Sequence, residues 1–244
     1  MMLHVALKDD DGGKNSLYYN SRRLKRFTAL TPGMISITSL YSPERRRVER
    51  FLEREFRHTY NANISEHYPT LMSVQDNDGT ILGALGFRYA NTEELFLEQY
   101  LDTPVESALS AATESGLTRN AIVEVGNLAS HANGASIFMF TALTAYLAQR
   151  GKQYITVTAT DFLHRYFTRL GVDLLLLGYA DQTRLPDGGR AWGTYYQTEP
   201  RIIAGHITSA YEKLQMYLQM SMVEETALLH AHLHLQPNGR ADGE

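Results

Sequence analysis

The chain has 244 residues, 43% hydrophobic and 20% charged, enough for one sizeable core or one domain with an appendage. A formal net charge of −4 and a pI near 6.1 count against general nucleic-acid binding. There is no cysteine, which excludes disulfides, thiolate metal sites and a cysteine nucleophile.

The opening MMLHVALKDDDGG has neither a basic start nor a long apolar core, so it does not read as a signal peptide. Its Asp-Gly-Gly cluster predicts a mobile stretch over residues 1–15. SRRLKRF then makes a small basic patch at Arg22, Arg23, Lys25 and Arg26. That patch is either a solvated arm or a contact for an anionic carrier. Met34 to Leu40 alternates as a first strand. Ser42-Pro43-Glu44 predicts a capped helix start, and Val48, Phe51, Leu52 and Phe56 give that helix its core face. The interleaved Arg and Glu read as surface ion pairs. NANISEHYP is a polar loop placed to cover an active site.

Leu71–Gln75 and Thr80–Ala90 read as two strands joined by the turn Asp76-Asn77-Asp78-Gly79. The second puts Leu82, Ala84, Gly86 and Arg88 on one face, where Arg88 either meets a carboxylate on the neighbouring strand or reaches solvent. In LFLEQYLDTPVE, Glu98 lies among Phe96, Leu97 and Tyr100 and is expected to be half buried. Pro104 to Thr118 suggests a turn and a short helix.

Ala121 to Val172 then reads strand, turn, helix, strand, helix. AIVEVGNLAS is a β-branched central strand, and IFMFTALTAYLAQRG is a helix apolar nearly all round and stopped at Gly151. Tyr154–Thr160 is a second strand, and Asp161 is expected to cap a helix carrying Phe162, Tyr166, Phe167 and Leu170. Parallel strands joined by a buried crossover helix follow. Gly134, in the turn before the first of these helices, is either an ordinary permissive glycine or part of an anion site on the helix N-terminus. Glu124, flanked by Val123 and Val125, is expensive to desolvate. Its pKa is expected to rise, which makes it a candidate base for an incoming amine. The alternative is a structural pair with Arg88.

DLLLLGYA reads as a buried strand, with Leu174–Leu177 the longest aliphatic run and far too short to span a bilayer. Pro186-Asp187-Gly188-Gly189 is a turn, and RAWGTYYQT the strand closing a hairpin. There Trp192, Tyr195 and Tyr196 either shape an acceptor pocket or pack the hairpin. Arg201–Met222 reads as an amphipathic helical region that docks on the domain or pairs two protomers as a homodimer. HAHLHL, at His230, His232 and His234, looks like a metal tract but has no carboxylate nearby, so no metal site is assigned. The chain divides into an N-terminal arm (1–30), a domain (31–206) and a C-terminal helix and tail (207–244).

The order of elements resembles the second half of the GNAT superfamily of N-acyltransferases, whose acyl-CoA loop follows Q/R-x-x-G-x-G/A. His131 stands at the Gln/Arg position, Gly134 matches, and Ser136 replaces the last small residue. RYFTRLGV resembles the superfamily's Y-x-x-x-G-F segment, with Phe167 where a general-acid tyrosine often stands. Over residues 35–206, LFLEQYLDTPVE, VEVGNLAS and LGYADQTRLPDGGRAWGTYY are similar to the thermostable hemolysin family, a GNAT-like group. AIVEVGNLA is also similar to the E-x-S-R-F strand of acyl-homoserine-lactone synthases, with Glu124 on the glutamate but Gly126 and Asn127 in place of Ser and Arg.

These resemblances imply an α/β GNAT-like fold with a twisted, splayed mixed sheet flanked by helices. They imply an acyltransferase using coenzyme A or acyl-carrier-protein phosphopantetheine, with a small amine acceptor. The opening without signal-peptide features and the short aliphatic run fit a cytoplasmic enzyme without stable membrane insertion. Asn127, Leu128 and Ala129 would hold the pantetheine arm, and His131, Asn133, Gly134, Ala135 and Ser136 the pyrophosphate. Glu124 would act as base, with Glu98 and Arg88 as further catalytic candidates. Thr156, Thr158 and Phe140 would line an acyl tunnel or simply be core. Two other readings stand beside this one. A membrane-active lytic protein would want an insertion segment, and an acyl-CoA-binding protein would have lost catalysis.

Overall fold

Among the described residues ten strands form one sheet, and its order sets where the site falls: β10-β2-β1-β3-β4-β5-β6-β7-β9-β8. Those strands are, in chain order, β1 (Met2–Asp9), β2 (Lys14–Asn20), β3 (Met34–Thr38), β4 (Thr70–Gln75), β5 (Ile81–Tyr89), β6 (Ile122–Ser130), β7 (Tyr154–Ala159), β8 (Leu174–Tyr179), β9 (Arg201–His206) and β10 (Ser221–Glu224). The helices are α1 (Ser21–Leu24), α2 (Arg45–Tyr60), α3 (Val105–Thr113), α4 (Ala135–Gln149), α5 (Asp161–Arg169) and α6 (Ile207–Leu218). The computed structural model describes residues 2–9, 14–26, 31–131 and 135–224.

The sheet is mixed. β6 and β7 run parallel, joined by α4 as the sequence predicts, while β4–β5 and β5–β6 are antiparallel. α4 is apolar all round because it is enclosed: Ile137, Phe138, Met139 and Leu143 are at 0% exposure, between the sheet and α6. Gly151, at φ +67°, ends it, and the Lys152 N–H returns to the Leu147 carbonyl. A separate cluster forms around α2, where Val48, Phe51, Leu52 and Phe56 pack on Leu71, Ala84 and Ala129. A third, around Leu97, Tyr100, Val105 and Leu109, covers Ile122 and Ala204.

Several expectations are corrected. Within residues 1–15, the described residues are not a loose arm. β1 pairs with β2 and β3 and buries Val5 and Leu7, an apolar alternation obscured in sequence by the charges beside it. α2 begins at Arg45 with no side-chain cap, and Thr160, not Asp161, caps α5 by accepting from the Leu163 N–H. β8 is an edge strand, half buried, with Leu176 51% exposed. Residues 190–198 form two short 3₁₀ turns rather than a strand. Residues 201–222 are strand, helix, strand: β-branched Ile202 and Ile203 put β9 between β7 and β8, and α6 follows without a break. α6 docks on α4, and its core face is Ile207, Ala210, Leu214 and Leu218.

Candidate active site

The centre of the sheet opens because two strands part. β6 and β7 pair only from Ile122↔Tyr154 to Val125↔Val157, although β6 continues to Ser130 and β7 to Ala159. A bulge drives β6 away from its partner. Between Gly86↔Gly126 and Ala84↔Ala129, two residues of β6, Asn127 and Leu128, oppose the single Leu85 of β5. Asn127 takes φ +49°, a left-handed conformation rare in a strand, and its side chain donates to the Glu66 carbonyl at 3.4 Å. The gap holds a cavity of about 240 Å3.

Gly126 to Ser130 line this cavity on one side, and Val157, Thr158 and Thr160 on the other. Ser136, in the first turn of α4, lines it too. Of the residues expected to hold a thioester carrier, Asn127, Leu128, Ala129 and Ser136 therefore meet at one site. His131 lies at the α2 side: its ring packs edge-on against Phe51, its Nδ1 is 3.3 Å from Glu55, and its Nε2 is 3.1 Å from Arg54. Asn133 and Gly134 lie outside the described residues, as does the side chain of Ala135. Nine aromatic side chains complete the wall, including Tyr68, Phe96, Tyr100, Trp192, Tyr195 and Tyr196. The aromatic triplet after Pro186 thus both packs and lines the cavity. The Tyr195 hydroxyl donates to the Thr158 carbonyl at 2.9 Å, and the Tyr100 and Tyr196 hydroxyls bond each other. The Thr158 hydroxyl oxygen is buried and has no partner among the described residues. Phe140 and Thr156 belong to the core instead: Phe140 packs on Phe167 at 4.5 Å between centroids, and Thr156 donates to the Val123 carbonyl. Phe167 is therefore in the core, and neither it nor Tyr166 is among the cavity-lining residues.

Glu124 sits behind this cavity at 0% exposure. Its Oε2 accepts from the Phe96 N–H at 2.8 Å and its Oε1 from the Leu97 N–H at 2.9 Å. Arg88, its cross-strand partner, brings Nε to 3.5 Å from Oε2, so of the two alternatives for this arginine the carboxylate partner is the one found. Tyr68, whose hydroxyl stands over Gly126 two residues along β6, acts electrostatically on the same carboxylate. Burial dominates and pushes the Glu124 carboxyl up to about 7, against the opposing pull of Arg88, the two backbone N–H groups and Tyr68.

Glu98 is placed differently. Arg119 binds both its oxygens, at 2.7 and 2.9 Å, and the N–H groups of Leu95 and Val105 donate to it as well. Burial acts to raise its carboxyl, but Arg119 and those N–H groups together outweigh it and hold the group below the ordinary range. Glu98 is not among the cavity-lining residues. It anchors the 3₁₀ turn Phe96–Tyr100 that delivers two N–H groups to Glu124.

The residue that sequence reasoning missed is Tyr68. It lies in the 61–69 loop, which has no periodicity to expose a buried position. Its ring lies across Gly86 and Gly126: a Cβ on Gly126 would stand 2.3 Å from the Tyr68 hydroxyl oxygen, and one on Gly86 2.6 Å from its Cβ. Arg45, expected at the surface, is instead 7% exposed and fixes the loop, donating to the Tyr68 and Pro69 carbonyls at 2.8 Å each. The paired glycines were the available signal, since glycine in mid-strand marks a close approach.

A mixed sheet whose central parallel strands part beside a bulge, covered by helices on both faces, defines a GNAT-like α/β fold. FeeM, an N-acyl amino acid synthase from uncultured soil microbes, shares it with a TM-score of 0.50 at 14% identity, over 76% of this chain and 96% of that one. The CoA-dependent acyl-homoserine lactone synthase MesI aligns at 17% identity over 75% and 93% of the two chains, TM-score 0.45. Tetrahymena GCN5 aligns at 14% identity over 71% and 95%, TM-score 0.40. The thermostable hemolysin family model matches residues 39–211, and the chain belongs to that family. No curated protein matches it. Among the described residues no helix is long and apolar enough to cross a membrane, and no cluster of His, Asp and Glu could hold a metal ion.

Proposed function

We propose that this protein is an acyltransferase that moves an acyl group from a phosphopantetheine thioester, on coenzyme A or an acyl-carrier protein, to a small amine. The observation that carries the reading is the parting of β6 and β7 after Val125↔Val157, which leaves a cavity between two strand edges. An extended pantetheine arm carries amide groups that can add to such an edge as a further strand would. In this reading Asn127 to Ala129 hold the arm, and the segment from His131 to Ser136 receives the pyrophosphate at the start of α4. The thioester carbonyl lies in the gap, where a backbone N–H of the bulge serves as oxyanion donor. Glu124, poised near neutrality by burial and matched to Arg88, is the base that accepts the amine proton.

Calorimetric titration with CoA and a series of acyl-CoAs, followed by thiol-release assays over candidate amines, tests this. Saturable binding and amine-dependent thiol release are expected. If no CoA thioester binds and no acyl-carrier protein substitutes, the reading fails. Lysis of protein-free liposomes by the purified protein without any thioester would favour the lytic alternative.

A further inference from the structure

We propose that the Tyr68 hydroxyl, not Glu124 itself, meets the acceptor amine, and that Glu124 takes the proton through it. This rests on the acyl-transfer reading above and specifies its chemistry. Glu124 is at 0% exposure and is not among the residues that line the cavity. Phe96 N–H and Leu97 N–H occupy one oxygen each, and Arg88 stands beside the second. A substrate in the cavity cannot touch this carboxylate. Tyr68 lines the cavity, and its hydroxyl stands over Gly126, two residues along β6 from Glu124 and on the same face, so it lies between the two.

The surroundings hold this bridge in one position. Gly86 and Gly126 face each other across β5 and β6, and any side chain at either would collide with the tyrosine. Arg45 grips the backbone at Tyr68 and Pro69, and the Arg88 guanidinium lies 4.5 Å from the centre of the tyrosine ring. Two glycines and a buried arginine thus fix the tyrosine on the strand face that carries Glu124.

The amine nitrogen attacks the thioester carbonyl, the C–N bond forms, and the C–S bond breaks with its electron pair leaving on sulfur. As the nitrogen loses its proton to the Tyr68 oxygen, the Tyr68 proton passes to Glu124. The proton then returns by the same path to the thiolate or to solvent, giving amide and free thiol. Burial, with the Glu124 charge adding to it, keeps the phenol well above its ordinary value, so the relay proton is present at neutral pH. The groups facing Glu124 are Arg88 from β5, itself paired with Glu93, Tyr68 from the loop, and Tyr100 from the 3₁₀ turn.

Tyr68→Phe, Glu124→Gln and the double variant test the relay. Tyr68→Phe is expected to bind CoA as the unaltered protein does and to keep KM within about threefold. Its kcat should fall about 100-fold or more, and the rise in rate through about pH 7 should flatten. Residues acting as one unit are non-additive, so the double variant should be no slower than the slower single variant. A Tyr68→Phe enzyme within about threefold of full kcat, or losses that multiply in the double variant, would overturn the relay. A second measurement needs no variant: two protons in flight give a curved dependence of kcat on solvent deuterium fraction, and a straight line would also overturn it. If the unaltered protein binds no thioester, the acyl-transfer reading has failed, and that titration alone tells this apart from failure of the relay.

Discussion

Glu124→Gln separates the electrostatic part of this account from its catalytic part, because it can be read in stability alone. The folded-state carboxyl titrates at about 7, above its ordinary 4.5, because the group is buried. A raised carboxylate value means that the folded form binds the proton more tightly than the unfolded one. The associated stability is therefore full below about pH 4.5 and is lost as pH rises through about 7. At about 1.4 kcal/mol per pH unit, that interval corresponds to about 3 kcal/mol. Glutamine stays neutral and lacks this slope, but its amide nitrogen must face one of the two N–H groups that Glu124 satisfies. That mismatch costs about 1–3 kcal/mol. Urea unfolding at a series of pH values should therefore find Glu124→Gln less stable near pH 5, with the deficit shrinking or reversing by about pH 9. A stability difference that stays level across this range would mean that Glu124 does not change charge there. The assignment of a poised base would then be wrong.

Other substitutions follow from the same geometry. Gly126→Ala places a methyl 2.3 Å from the Tyr68 hydroxyl oxygen, so it should lower stability by about 2 kcal/mol or more in denaturant melts and displace the tyrosine. Arg119→Ala removes both bonds to Glu98 and one to Glu106, and should cost about 2 kcal/mol or more while loosening the turn that supplies Phe96 and Leu97. Hydrogen exchange over residues 95–100 should quicken in that variant and leave β4 unchanged. Thr158→Val removes a hydroxyl that has no partner among the described residues, so thermal unfolding should shift by less than about 1 kcal/mol, while acyl-CoA affinity measured by calorimetry should fall.

What could be read from sequence was what repeats. β6, α4 and β7 announce themselves through β-branched runs and an apolar helix ended by glycine, whereas alternation along β5 left Arg88 open between solvent and a carboxylate until the β5–β6 register paired it with Glu124. The misreadings share a cause: local pattern yields to tertiary placement. β1 carries charges that hide its two buried positions, and β9 passes into α6 with no breaker between them. Glu98 and Glu124 are both carboxylates among apolar neighbours, yet a guanidinium claims one and burial sets the other. Nothing in sequence spacing distinguishes them, because Arg119 and the 3₁₀ turn come together only in the fold. Tyr68 was hidden for a similar reason, since its place is defined by two glycines on other strands. The HAHLHL tract lies outside the described residues, and the structure adds nothing to its reading.

The central claim is that a phosphopantetheine thioester lies between the edges of β6 and β7. Hydrogen exchange read by mass spectrometry, with and without a saturating acyl-CoA, tests it most directly. Slowed exchange confined to the segments around 126–131 and 157–160, with the β1–β2 hairpin unaffected, is the predicted result. Unchanged exchange in both segments, or protection only on another face of the protein, would contradict it.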